Sequence, residues 1–346
     1  MNGSVHRAPT RGRPPARVRV LAGLLGAGLL LAAAPAAAQT DLGGQRVGTS
    51  SGSFLKVSLD PRGSGMGGAV CAYASGPAAL LWNPAGLGIE GERGVLLCGV
   101  DYTAGIPAGA AVVCLPFAPI RGAIGIGLAG LSATMDETDE FHPLGTGREF
   151  TYSTWTATLG ASRALTDKLS FGVAAKLFHE AFAPELDGTE LTTWLIDAGA
   201  IYFVGYRDTR MGITLSNFGP DLRPSGEFES RRSDAEIRYT SFSPPTFFRF
   251  GFSIDPYQSK RWKLVTSIEV GHPADNREVL RAGAELTMER AFAVRAGYDF
   301  SADALKLHAG CGVRMRFGST RIDVDYAYAD GGYFGSIHRW GLHYSW

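Results

Sequence analysis

From residue 93 to the end of the chain, apolar and polar positions alternate with a period of two. In 305–317 the odd positions are Leu305, Leu307, Ala309, Cys311, Val313, Met315 and Phe317, and the even ones are Lys306, His308, Gly310, Gly312, Arg314 and Arg316. In 321–328, Ile322, Val324, Tyr326 and Tyr328 alternate with Arg321, Asp323, Asp325 and Ala327. At the end, Trp340, Leu342, Tyr344 and Trp346 alternate with Arg339, Gly341, His343 and Ser345. A strand sends successive side chains to opposite faces, so each run has one apolar and one charged face. Fourteen strands are predicted, at 93–103, 107–117, 121–133, 149–163, 167–180, 191–205, 210–218, 246–255, 260–272, 277–288, 290–300, 304–316, 319–329 and 337–346. Most approach the ~9–11 residues that a tilted strand needs to cross a bilayer.

The connections carry a second pattern. Those after every second strand are short, while 134–148 and 219–245 are long. Short turns at one end and longer loops at the other are the habit of outer-membrane barrels. Aromatic residues at the ends of the apolar faces (Trp262, Phe292, Phe300, Tyr328, Trp340 and Trp346) suit membrane interfaces. About eight strands already give a barrel that side chains can fill, so fourteen leave space for a hydrated lumen. The chain therefore reads as all-β, a transmembrane antiparallel barrel, with both barrel ends on the short-turn, periplasmic side.

Residues 60–87 break the pattern. They are rich in glycine, alanine and proline and almost uncharged. Pro61, Pro77 and Pro84 lack a ladder N–H, and Gly63, Gly65, Gly67 and Gly68 preclude one long helix. A short helix within 72–81 remains compatible. A compact irregular stretch followed only by strands suggests a plug inside the barrel. Three motifs, Phe54-Leu55-Lys56, Gly65-Met66-Gly67-Gly68-Ala69 and Trp82-Asn83-Pro84-Ala85-Gly86-Leu87, resemble the N-terminal segment of FadL-like outer-membrane barrels, most closely their PorV/PorQ branch. The resemblance implies that the segment is a hatch in the lumen. It extends to Leu215–Leu222, to 281–299 and to 322–328, and it implies that the terminal aromatic Trp346 serves the outer-membrane assembly machinery as a signal.

Residues 1–38 hold five arginines and no acid, followed by an apolar run and a small-residue cluster ending at Ala36 and Ala38. That is a secretory leader with cleavage before Gln39, the alternative being a retained anchor. The expected organisation is 1–38 signal peptide, 39–92 N-terminal segment and hatch, and 93–346 barrel. Removing the leader leaves 28 of the 33 basic residues against 33 acidic ones, with no basic patch suited to nucleic acid. Cys71, Cys98, Cys114 and Cys311 are too scattered for a disulfide scaffold, although Cys98 and Cys114 are placed to face each other across the first hairpin.

The charges on the inward face include Arg249, Glu269, Arg281, Glu285, Arg295, Asp299, Lys306, His308, Arg314, Asp323, Asp325 and Arg339. Both signs occur on neighbouring strands. An ion-pair ladder bracing the lumen explains this better than a selectivity ring, which needs one sign. Asp323 and Asp325 beside His308 suggest a metal site or acid–base pair, but the nearby arginines favour charge pairing. The acidic cluster at 136–140 lacks the spaced ligands and glycine of an EF-hand. No nucleophile elbow or Walker loop occurs, so no enzyme and no cofactor are expected. The hatch motif (Gly65, Met66, Gly67, Gly68, Trp82, Asn83, Pro84, Ala85 and Gly86) is expected to draw its polar contacts from the charged wall, from Arg295, Arg314 and Asp323 among others. The resemblance implies two functions: uptake of small hydrophobic compounds, or a component of type IX-like secretion that binds cargo or partner proteins. Outer-membrane lipid is the expected surrounding in either case.

Overall fold

The structure is a computed structural model and describes residues 47–184, 188–225, 227–229, 236–238 and 240–346. The leader expected at 1–38 lies outside the described residues.

Fourteen strands close one antiparallel barrel. They are β1 (Gly94–Asp101), β2 (Pro107–Phe117), β3 (Gly122–Asp136), β4 (Glu149–Thr166), β5 (Leu169–Phe182), β6 (Thr189–Phe203) and β7 (Arg210–Phe218). A small separate hairpin, β8 (Glu227–Glu229) and β9 (Glu236–Arg238), sits in the long connection that follows. The wall resumes with β10 (Phe247–Gln258), β11 (Trp262–Pro273), β12 (Val279–Met288), β13 (Phe292–Asp299), β14 (Leu307–Phe317), β15 (Thr320–Asp330) and β16 (Ser336–Ser345). Each strand pairs with its sequence neighbours, β7 with β10 across the hairpin, and β1 with β16 closes the ring. Pro256, which has no N–H to give, falls where the β10–β11 register shifts.

The faces are inverted relative to a water-soluble protein. On β15, Val324 and Tyr326 are exposed outward while Asp323 and Asp325 are buried inward. On β13, Phe292 and Val294 point out and Arg295 and Asp299 point in. Around the wall the exposed apolar side chains include Leu128, Leu159, Trp194, Ile268, Leu307 and Leu342. A belt of this extent is stable only against hydrocarbon. Among the described residues no helix is long and apolar enough to cross a membrane.

Two sequence expectations change here. Lys306 is exposed in the connection before β14 rather than set in the wall. Cys98 lies opposite Ala110, and Cys114 opposite Gly94, so the two cysteines are four ladder steps apart; both are free thiols. The hairpin register, fixed by the turn at 102–106, separates them.

Candidate functional site: the hatch and the spaces on either side of it

Residues 47–93 run through the lumen. At the long-loop end Ser50 bridges Ser243, and the Ser50 hydroxyl and the Lys56 ammonium both reach Asp275 between β11 and β12. The Phe54-Leu55-Lys56 motif forms a short 3₁₀ turn, Ser53–Lys56, with Phe54 buried. The chain then descends past the Arg339 guanidinium, whose Nε donates to the Ser58 carbonyl at 2.8 Å. It leaves at the short-turn end, where Arg321 donates to Glu90 at 2.6 Å just before β1. The barrel strands do begin and end at the short-turn side, but the described chain before them reaches the opposite rim.

The prolines set the local shape. Pro61 opens a one-turn helix, Pro61–Gly65, because the first helical position needs no N–H. Asp60 caps it, accepting from Arg62 N–H at 3.2 Å and Gly63 N–H at 2.8 Å. The Trp82 indole donates to the same Asp60 carboxylate at 2.9 Å, which ties the two ends of the hatch together. Asn83 is fully buried: its side-chain oxygen accepts from Ala85 N–H at 3.1 Å and its amide donates to the Cys71 carbonyl at 2.8 Å. Pro84, Ala85 and Gly86 form the following 3₁₀ turn. The short helix expected within 72–81 appears as the turns Gly76–Ala78 and Ala79–Trp82.

The wall meets the hatch mostly at glycines, with no side chain between them. A Cβ on Gly297 would lie 2.0 Å from the Gly67 nitrogen, and one on Gly283 would lie 2.4 Å from the Met66 carbonyl. A Cβ on Gly172 would meet the Ala85 nitrogen at 2.3 Å, and one on Gly199 would meet the Asn83 side-chain oxygen at 2.0 Å. Gly65 passes Gly310 in the same way, and Gly67 and Gly68 adopt left-handed backbone (φ 67° and 78°). Met66, Leu80 and Leu87 are buried; removing each from water contributes about 1.5–3 kcal/mol. Sequence reading missed this glycine belt, although its signal was present: the glycines recur on the charged face of the alternation.

The hatch's buried backbone groups find partners in the charged wall, at Arg249 and Glu269 of the lumen-facing set rather than at Arg295, Arg314 and Asp323. Arg249 donates to the Trp82 carbonyl at 2.6 Å, Glu269 accepts from Cys71 N–H at 2.9 Å, and Ser170 donates to the Ala85 carbonyl at 2.7 Å. Arg295, Arg314 and Asp323 bond to side chains instead. The register explains why: Glu285 faces Arg295, Arg281 faces Asp299, and Arg314 faces Asp323 directly across the ladder. Arg295 therefore bridges Glu285 at 2.6 Å and Asp325 at 2.7 Å, and Arg314 holds Asp323 at 2.9 Å. From the hatch, Arg62 reaches Glu285 at 2.9 Å and Tyr73 donates to it at 2.8 Å. Asp323 and Asp325 are thus engaged by arginines. His308, half-buried on β14, is in contact with neither by hydrogen bond. Trp346 lies one residue past β16, and its N–H donates to the Arg93 carbonyl at 3.1 Å across the closing seam.

Two spaces flank the hatch. Toward the long loops is a cavity of about 220 Å³, lined on the hatch side by Phe54, Leu55, Val57, Leu80, Leu81 and Trp82. Phe247 and Pro245 face these from the wall, with Lys176, Arg249 and Arg281 at its polar margin. Toward the short turns is a second space of about 380 Å³, lined chiefly by arginines.

Closed barrel, inverted faces and the N-terminal segment in the lumen together define a membrane-spanning β-barrel with an internal hatch. No protein-family model and no curated protein matches the sequence. Solved structures do match. The deltaS2S3 mutant of the monoaromatic hydrocarbon channel TodX aligns with a TM-score of 0.57 at 14% identity, over 83% of this chain and 98% of that one. The toluene transporter TbuX of Ralstonia pickettii aligns with a TM-score of 0.54 at 15% identity, over 83% and 97%. The toluene transporter TodX of Pseudomonas putida gives 0.52 at 14% identity, over 82% and 96%. The chain shares their fold over nearly the whole length of each.

Proposed function

We propose that this barrel takes up small hydrophobic compounds across the outer membrane, as a FadL-like protein of the PorV/PorQ branch. The observation that carries the reading is the cavity above the hatch, whose apolar side is formed by Phe54, Leu55, Val57, Leu80, Leu81, Trp82 and Phe247, facing a polar side with Lys56, Lys176, Arg249, Asp275 and Arg281. Its volume of about 220 Å³ exceeds the ~150 Å³ that holds benzene. A way out is suggested at the same level. Ala129 and Thr156 line the cavity and also a depression on the lipid face, whose other walls include Gly109, Ala111, Gly130 and Trp155. Gly109 and Gly130 are ladder partners, so the wall there is thin and carries no side chain. The hydrocarbon and toluene channels that share the fold support the same substrate class.

Titrating the full-length barrel in detergent with toluene, and following tryptophan fluorescence, tests this. Saturable quenching is expected, and Leu81→Arg, which sets a charge in the cavity, should remove it. Absence of saturable binding in the parent protein would refute the proposal.

A second reading rests on the loops. Phe141 and Leu144 stand exposed on the 137–148 connection, and Tyr333 stands exposed between β15 and β16. Apolar side chains beyond the bilayer suit contact with cargo or partner proteins of a type IX-like secretion system. Co-purification of such proteins, lost on replacing Phe141 and Leu144 by serine, would favour it.

A further inference from the structure

Beneath the hatch, the short-turn mouth of the barrel is a chamber walled by cations. Arg62 and Arg210 approach from the hatch side and from β7. Arg261, Lys263 and Arg290 come from the turns around β11 and β12, and Arg314, Arg316 and Arg321 from the β14–β15 turn. Glu90 and Glu285 are the carboxylates that line it. Most of the cations are paired: Arg62 with Glu285, Arg210 with Asp208, Lys263 with Asp255, Arg314 with Asp323, and Arg321 with Glu90. Arg261 is held only by an exposed contact to Glu289 at 3.6 Å. Arg290 and Arg316 make no ion pair with any described residue, although both face the chamber.

The position of Arg316 is the second observation. It stands directly opposite Arg321 on the β14–β15 ladder, and two residues from Arg314 on the same face. Arg321 is held by Glu90, Glu92 and Asp323 at 2.6, 3.3 and 3.5 Å, so the carboxylates on that side are already engaged and Arg316, exposed at the mouth like Arg290, has none left to pair with.

We propose that this chamber is an oxyanion site, in which Arg290 and Arg316, with Arg261 beside them, take up a multivalent phosphate-class anion from the periplasm. Guanidinium forks match the paired oxygens of phosphate. The chamber, at about 380 Å³, accommodates a group of that size. The site is distinct from the cavity toward the long loops, which lies on the other side of the hatch.

Calorimetric titration of the intact barrel with inorganic pyrophosphate tests this, in neutral detergent at fixed ionic strength. One saturable site is expected, and Arg290→Gln with Arg316→Gln should weaken it at least ~tenfold, the factor carried by one lost charge-assisted hydrogen bond. Arg316→Gln alone should shrink the rise in unfolding temperature that pyrophosphate gives the parent. Heats that chloride reproduces, or a double variant that binds as tightly as the parent, overturn the proposal. Repeating the titration in nanodiscs separates the sources of the anion. Binding kept in both phosphatidylcholine and phosphatidylglycerol discs assigns a soluble anion. Binding kept in phosphatidylcholine and blocked in phosphatidylglycerol assigns a lipid phosphate as occupant of the same site. Loss in both overturns it.

Discussion

At the scale of single residues, the lumen is held by carboxylates that serve two masters. Glu285 is buried and accepts from Arg62 and Tyr73 of the hatch and from Arg295 of the wall. Replacing it with alanine takes the ion partner from half-buried Arg62 and leaves buried Arg295 with Asp325 alone, a loss of up to about 3–5 kcal/mol, the figure for a broken buried pair. Glu285→Ala should lower the temperature at which the folded band on a gel converts to the unfolded one, and Glu285→Gln should do so by less. Glu90 gives a pH signature. Burial alone would raise its pKa, but the Arg321 guanidinium and the Ser75 hydroxyl more than offset that and bring it from 4.5 down to about 2. The folded value is below the ordinary one, so the ionised form stabilises the clasp between hatch and wall. That contribution is complete above about 4.5 and drains away as pH falls toward about 2. The unfolding temperature followed by circular dichroism should therefore fall through this acid window by more in the parent than in Glu90→Gln, which lacks the titrating group.

At the scale of elements, the wall and the hatch differ in how well the sequence announces them. Strands 307–317 and 320–330 were legible because alternation, turn glycines and aromatic ends all agree at short range. The charged face was legible too, since Arg295 and Asp299 share a parity within one strand, and Asp323 and Asp325 within another, which puts each pair on one side of the sheet. What was not legible was which wall residues touch the hatch. Those contacts join residues far apart in the chain, such as Gly67 with Gly297, and run from backbone to backbone. No side-chain periodicity records them. Which of the lumen-facing charges would reach the hatch was hidden for the same reason: the cross-strand register gives Arg295 to Glu285 and leaves Arg249 to bond the Trp82 carbonyl. The glycine belt makes its own prediction. Gly297→Val places carbon where Gly67 now lies and should push the hatch out while the wall still forms. Conductance across a planar bilayer should rise with the heat-dependent gel shift retained. Trp82→Ala with Asn83→Ala should raise it as well, by removing the Asp60 tie and the buried amide. Unchanged conductance in both variants would mean that the segment does not obstruct the lumen.

At the scale of the whole molecule, the inverted faces predict a protein that is strand-rich by circular dichroism in detergent and aggregates without it. Deleting Trp346 should reduce the folded fraction in the membrane, because its N–H links the last strand to Arg93 beside the first. An equal yield of folded barrel would remove that role. The ring closes where β1 meets β16, the first strand and the last. Through that ring passes the stretch 47–93, held at one rim by Asp275 and at the other by Arg321. A strap made fast at both rims of a hoop is also a tie-rod: loosening either fastening frees one end of it while the other still holds.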